Sequence, residues 1–251
     1  MESRFKGKVA VVTGGTRGIG GAISLKLASE GAKVFALYAR DRTHAEALET
    51  AARGLPGEVR TIRGDLTADE SFNAVVEQIN AGSDRVDILV HSAASGVHRD
   101  AMDLTMKHFR WTFEINVFAF HNLMRALVPR MPAGAKVVGI TSSGGTRVIP
   151  HYAAIGASKG AMESLLRHYA QELAPKGILV NALCPGLVLT DATEAFPDRE
   201  TRIQVATERT PTGRLTTVED VAEAAAFLCS DANRQFVGQT LTLDGGKTLL
   251  S

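Results

Sequence analysis

The sequence predicts an α/β domain built on a doubly wound parallel sheet of about seven strands with helices on both faces. Three observations carry this. Short apolar runs recur along the whole length at residues 8–12, 33–38, 58–63, 86–90, 136–140, 178–183 and 239–243. Helical patterns separate them, and a glycine turn follows the first. Most of these runs are apolar without alternation, as strands covered on both faces should be. With 251 residues, 45% of them hydrophobic, one large core suffices, so a single domain over 1–251 is expected.

Composition excludes several classes of function. Twenty-eight basic and 27 acidic residues are interspersed and sum to a formal charge of +1. That leaves no electrostatic footprint for nucleic acid or an anionic membrane. No apolar run is long enough to span a bilayer and no signal core opens the chain, so a cytoplasmic location is expected. Cys184 and Cys229 are too few for a disulfide framework or a zinc cluster and read as buried free thiols. His91, His98 and His151 have no matching carboxylate pattern, so no metal site is predicted.

The first strand runs into Thr13-Gly14-Gly15-Thr16-Arg17-Gly18-Ile19-Gly20, and a helical pattern begins there. Glycines let the backbone approach a phosphate closely, and the helix N-terminus turns free N–H groups toward it. A dinucleotide is the ligand this context suits, although glycine turns also occur for steric reasons alone. The second strand ends Tyr38-Ala39-Arg40-Asp41. An acid at that point would accept from the ribose hydroxyls of NAD. Arg40 there, with Arg17 in the glycine turn, suits a 2′-phosphate instead and favours NADP(H), with Asp41 the one group arguing the other way. Two merely solvated arginines are the bland alternative.

A helical pattern covers residues 43–53. Asp65-Leu66 follows the third strand, and a further helix over 67–81 opens with Thr67 and Glu70 at capping-box spacing. The fourth strand enters His91-Ser92-Ala93-Ala94-Ser95-Gly96, small residues against which a flat ring can lie. Asn116 falls inside the long apolar helix predicted over 106–127, where an amide needs a buried partner. After the fifth strand come Ser142, Tyr152 and Lys159, and after the sixth Pro185-Gly186. Residues 190–214 are polar and without strand periodicity, as a segment covering a site would be. In an open parallel sheet the ligand crevice lies at the carboxyl ends of the strands, where all these segments fall.

The glycine turn, the small-residue turn after the fourth strand, Asn116, Ser142, Lys159 and Pro185-Gly186 together resemble the Rossmann-like short-chain dehydrogenase/reductase superfamily over nearly the whole chain. In that family a Ser, a Tyr and a Lys act together, with Tyr four residues before Lys. Here that position is Ile155, which has no proton to give. Tyr152 stands seven residues before Lys159, the spacing of the enoyl-(acyl carrier protein) reductases, and Arg147 to Tyr152 with Gly156 looks like their active-site segment. Ser142, rather than a second Tyr, is similar to the type III, NADPH-using form, as are 93–97, Phe196-Pro197-Asp198-Arg199-Glu200 and 210–214. At 100° per residue, spacings of four and seven both keep a side chain near the face of Lys159, the longer one displacing it by about 4.5 Å along the axis.

The resemblance implies a mechanism. NADPH gives hydride to the β-carbon of a trans-2-enoyl thioester carried on acyl carrier protein or coenzyme A. Tyr152 donates to the enolate oxygen, Lys159 holds the ribose and polarises the phenol, and Ser142 is a second donor or a support. It also implies a cofactor cleft. Gly14, Thr16, Arg17, Gly18, Ile19 and Gly20 would line the pyrophosphate, Ala39 and Arg40 the 2′-phosphate, and Asp65 and Leu66 the adenine. Ser92, Ala93, Ala94, Asn116, Lys159, Pro185, Gly186, Val188 and Thr190 would border the ribose and nicotinamide. His91 occupies a position where the family often has Asn, and Ser158 is expected to point away and pack. A homotetramer or homodimer joined through 112–127 and 158–173 is implied as well. The competing functions are a carbonyl reductase whose acid has moved to Tyr152, and a non-catalytic NADP-binding regulator.

Overall fold

The structure, a computed structural model, describes residues 3–194 and 199–250. All seven predicted strands form: β1 (Val9–Thr13), β2 (Lys33–Tyr38), β3 (Glu58–Arg63), β4 (Ile88–His91), β5 (Lys136–Ile140), β6 (Leu179–Pro185) and β7 (Thr240–Leu243). They make one parallel sheet in the order β3-β2-β1-β4-β5-β6-β7. Only the ends differ from expectation, β4 starting two residues late and β6 running on to Pro185.

Alternation along each strand sends neighbours to opposite faces. Val11, Phe35, Leu37, Leu89 and Val137 meet α3 (Asp69–Gly82), α5 (Ala119–Leu127) and α6 (Ala153–Leu173) on one side. Ala10, Val12, Val34, Val90 and Val138 meet α1 (Gly18–Ser29) and α9 (Val218–Cys229) on the other. The doubly wound, single-domain α/β architecture is thereby observed, with a buried apolar layer on each face. No helix among the described residues is long and apolar enough to cross a membrane.

Two local readings change. The capping box at Thr67 and Glu70 does not form. The Thr67 hydroxyl donates to Asp65 Oδ1 at 2.7 Å, so α3 starts only at Asp69 with Ala68 before it. Ser71 in turn takes the Asp65 N–H at 2.7 Å. The long helix over 106–127 is interrupted: α4 (Met106–Phe113) passes through a π turn at Glu114–Phe118 before α5. Asn116 lies in that turn, fully buried, with the partners an interior amide requires. Its Oδ1 accepts from Ser95 N at 2.8 Å, and its Nδ2 donates to Ser95 O at 3.0 Å and to Ser158 Oγ at 2.9 Å. π turns are a local cost that recurs at functional sites, and here the turn ties the loop after β4 to α6.

The segment expected to cover the site becomes α7 (Asp191–Glu194) and α8 (Arg199–Glu208). Of the Phe196 to Glu200 stretch, residues 196–198 lie outside the described residues. Replacing Asn116 by Leu keeps the branched shape but leaves the part-buried Ser95 N–H and carbonyl without their partner. The expected loss is about 2–4 kcal/mol in urea denaturation; a loss under about 1 kcal/mol would mean the π turn is held by packing alone.

Candidate active site

Parallel register brings the strand ends level. Thr13 pairs with Leu37 on one side and His91 on the other, and His91 pairs with Gly139. Every predicted site segment therefore emerges on one edge of the sheet.

At the first of these, Gly14 has φ +60°, a conformation that only glycine takes at little cost. A Cβ there would also sit 3.0 Å from the backbone of Ala93, so the first and fourth strand turns touch. Arg17 precedes α1 with extended backbone, its side chain makes no capping bond to the helix, and no acid occupies the first turn. Its free N–H groups and positive end suit an anion. Thr190 lies against Gly18 from the other wall, at 3.2 Å from where a Cβ would stand. Thr16 and Val188 are buried, whereas Ile19 and Leu66 pack partly against the core.

Asp41, the acid that could have signalled NAD, is already engaged. It caps α2 (Arg42–Ala51), accepting from His44 N at 3.2 Å and from His44 Nδ1 at 2.7 Å, which holds its carboxyl below the ordinary range. Arg40 stays exposed, and its charge adds to the Thr67 hydrogen bonds that lower the Asp65 carboxyl. Arg63 brings another guanidinium to this corner, its Nε donating to Ala39 O at 3.4 Å. Arg17 meets Asp191 of α7 at 3.2 Å. Neither Arg63 nor Asp191 was legible as a site residue, since each arrives from a separate element.

His91 is fully buried and stacks on Phe120 at 4.8 Å. Thr13 Oγ1 accepts from Ser92 N at 3.2 Å and Ala93 N at 3.0 Å, and it lies 2.9 Å from His91 Nδ1. With its lone pairs so used, the hydroxyl gives its own proton to Nδ1, and the imidazole is the Nε2–H tautomer. Burial pushes this histidine down to about 3, so it is neutral at working pH. Its role is to lock β1 to β4 beneath the site. Among the described residues no group of histidine, cysteine and carboxylate side chains could hold a metal.

Ser142 ends the β5 segment and its Oγ accepts from Gly144 N at 3.3 Å. Tyr152 stands just before α6 and is bridged to Arg99, whose N–H donates to His151 O at 3.1 Å. His151 itself has φ +59°, and its Nδ1 lies 2.9 Å from Asp100 Oδ1, so the tyrosine loop is held in a strained turn by its neighbour. Burial raises the Tyr152 phenol, and a hydrogen bond with Ser142 opposes that rise. Lys159 is buried, donates to Ile140 O at 2.8 Å, and is pushed down to about 8 by desolvation. Serine and phenol are thus hydrogen-bonded to each other, and the ammonium sits seven residues beyond the phenol at the end of β5.

Ile155 takes no part. It is buried beneath Gly96, where a Cβ would fall 2.1 Å from Ile155 Cγ1. Ser158 does more than pack, because it accepts from Asn116 and donates to Ile155 O at 2.7 Å. Both cysteines are buried free thiols.

A family model described as enoyl-(acyl carrier protein) reductase matches residues 14–248. The chain is 31% identical to the 1-cyclohexenylcarbonyl-CoA reductase of Streptomyces collinus, covering 97% of this chain and 88% of the relative. It is 34% identical to the 3-oxoacyl-(acyl carrier protein) reductase of Thermotoga maritima, over 97% and 98% respectively. Among solved structures, a short-chain dehydrogenase from Burkholderia cenocepacia in complex with NADP superposes with a TM-score of 0.88 at 30% identity, covering 98% of this chain and 99% of that one.

Placing a methyl group at residue 96 tests the Gly96 and Ile155 contact. Gly96→Ala is expected to cost about 1–3 kcal/mol through overpacking, and Ile155→Ala in the same chain should cost less than the sum of the two. Strictly additive losses would show that the two positions do not touch.

Proposed function

Because this chain belongs to the short-chain dehydrogenase/reductase superfamily, we propose that it is an NADPH-dependent reductase of trans-2-enoyl thioesters. The observation that carries this is the position of Tyr152, the one phenol among the described residues hydrogen-bonded with Ser142. Tyr152 sits seven residues before Lys159 and beside Ser142, while the nearer position is an isoleucine packed under Gly96.

The residues fit the cofactor. An uncapped helix start meets the glycine turn, Arg17 and Arg40 offer charge for a 2′-phosphate, and Asp41 is spent on His44. The bound nicotinamide supplies the hydride, which goes to the substrate β-carbon. Reduction there moves charge onto the thioester oxygen, two bonds farther from the nicotinamide than a ketone oxygen would be. A phenol displaced along the helix suits that distance. Tyr152 donates to the oxygen, with Ser142 supporting it, and Lys159 lowers the cost of the polarised phenol. The α-carbon takes its proton from Tyr152 or through water, so each turnover consumes one NADPH and one proton. The thioester is carried by acyl carrier protein or coenzyme A. Trp111 and Phe118, half-exposed beside α5, support a homodimer or homotetramer joined through 112–127 and 158–173.

One observation favours a second reading. A hydrogen-bonded serine and phenol would also serve a carbonyl group, so a 3-oxoacyl thioester is the competing substrate. NADPH oxidation separates the two. Turnover with a trans-2-enoyl thioester should exceed that with a 3-oxoacyl thioester, and Tyr152→Phe should lower kcat by roughly 10²–10⁴-fold. Preference for the ketone, or indifference to the phenol, would overturn the proposal.

The pH dependence follows from Lys159. The site needs the ammonium, and its midpoint is about 8. Protonated below that value and neutral above it, Lys159 should give kcat/KM a basic limb near pH 8, well below the ordinary lysine range. A kcat/KM profile flat through pH 10 would contradict the role of the charge.

A further inference from the structure

One helical turn beyond Lys159, on the same face, lies Glu163, a buried carboxylate that the mechanism above does not use. Its Oε1 accepts from Thr141 Oγ1 at 2.7 Å. Glu163 also lines a cavity of about 250 Å³ behind the site, together with Ser143, Thr146, Thr240, Thr242 and Thr248. A cavity of that size with so many hydroxyls has both the room and the partners to hold water. Glu163 thus stands at a polar cavity wall one turn from Lys159, and the two side chains bond consecutive residues, Thr141 and Ile140.

We propose that Glu163 is the counter-charge of Lys159, a positioning residue whose carboxylate keeps the ammonium protonated and in place. This rests on the catalytic reading of Lys159 given above.

The other groups around the lysine leave this role to Glu163. Cys184 approaches from β6, but burial pushes its thiol up to about 12, so it carries no charge at working pH. His91 approaches from β4 and, at about 3, is neutral too. Tyr152 precedes the same helix and its phenol is raised, hence protonated. Asp244 acts on Cys184 from beyond β7, and Arg147 shares the rear cavity with Glu163. Among the described residues, Glu163 is thus the one acid whose charge acts directly on the Lys159 ammonium. An ammonium buried with no opposing charge would lose its proton near neutrality.

The test reads Lys159 directly. Protein carrying ¹³C at the lysine ε-carbons is titrated by NMR without substrate, the Lys159 signal being assigned by its loss in Lys159→Met. Glu163→Gln keeps the shape and the acceptor for Thr141 but removes the charge. Its Lys159 midpoint should fall by about one pH unit, and the basic limb of kcat/KM should move down with it, about a tenfold loss on that side. Glu163→Asp, with its charge one methylene farther back, should lie between. An unmoved Lys159 midpoint in Glu163→Gln overturns the proposal. Should that variant not fold, a midpoint in Glu163→Asp at or above the wild-type value overturns it alone. The titration needs no turnover, so a failed substrate assignment would leave this result standing, and the reverse.

Discussion

Everything at the site hangs on β1 having two parallel neighbours. Thr13 pairs with Leu37 and with His91, and past that level the chain leaves toward α1 on one side and toward Ser92 on the other. The opening between those two departures is where a ligand enters an open parallel sheet. Holding it open at fixed width requires a link that water cannot loosen. The buried bond between the Thr13 hydroxyl and His91 Nδ1, backed by Phe120, supplies that link. The same hydroxyl gathers the Ser92 and Ala93 N–H groups, so the floor of the crevice and the sheet are one hydrogen-bonded unit.

The opposite wall is organised around burial of charge. An ammonium inside a protein is costly unless it finds acceptors and an opposing charge. Lys159 has the Ile140 carbonyl at the end of β5, and Glu163 one turn on. The Asn116 network then joins the loop after β4 to Ser158, the residue beside Lys159. The geometry of this wall is a consequence of satisfying buried polar groups. Each of these side chains has its position determined by what it must hydrogen-bond, and the crevice is the space left between them.

How far the sequence discloses this depends on range. The glycine turn and the spacing of Tyr152 and Lys159 are short-range patterns, so both were readable, as was the succession of strands. Asn116 was readable as an amide in need of a partner, but not that the partners were Ser95 and Ser158, which lie 21 and 42 residues away. Asp41 read as a group available to a ribose, and the structure commits it to His44 instead. Thr67 looked like a cap and turned to Asp65, since a hydroxyl takes whichever acceptor is nearest. Arg63 and Asp191 reach the cofactor corner only through tertiary packing, and nothing in their local sequence marks them.

In the proposed reaction Tyr152 serves an oxygen remote from the carbon that receives hydride. NADPH bearing deuterium at the transferable position of the nicotinamide, incubated with the enzyme and a trans-2-enoyl thioester, tests it most directly. The expected product is a saturated acyl thioester with deuterium on the β-carbon and a solvent-derived proton on the α-carbon. Deuterium recovered only on a carbinol carbon, from a 3-oxoacyl thioester with the enoyl substrate untouched, would contradict it.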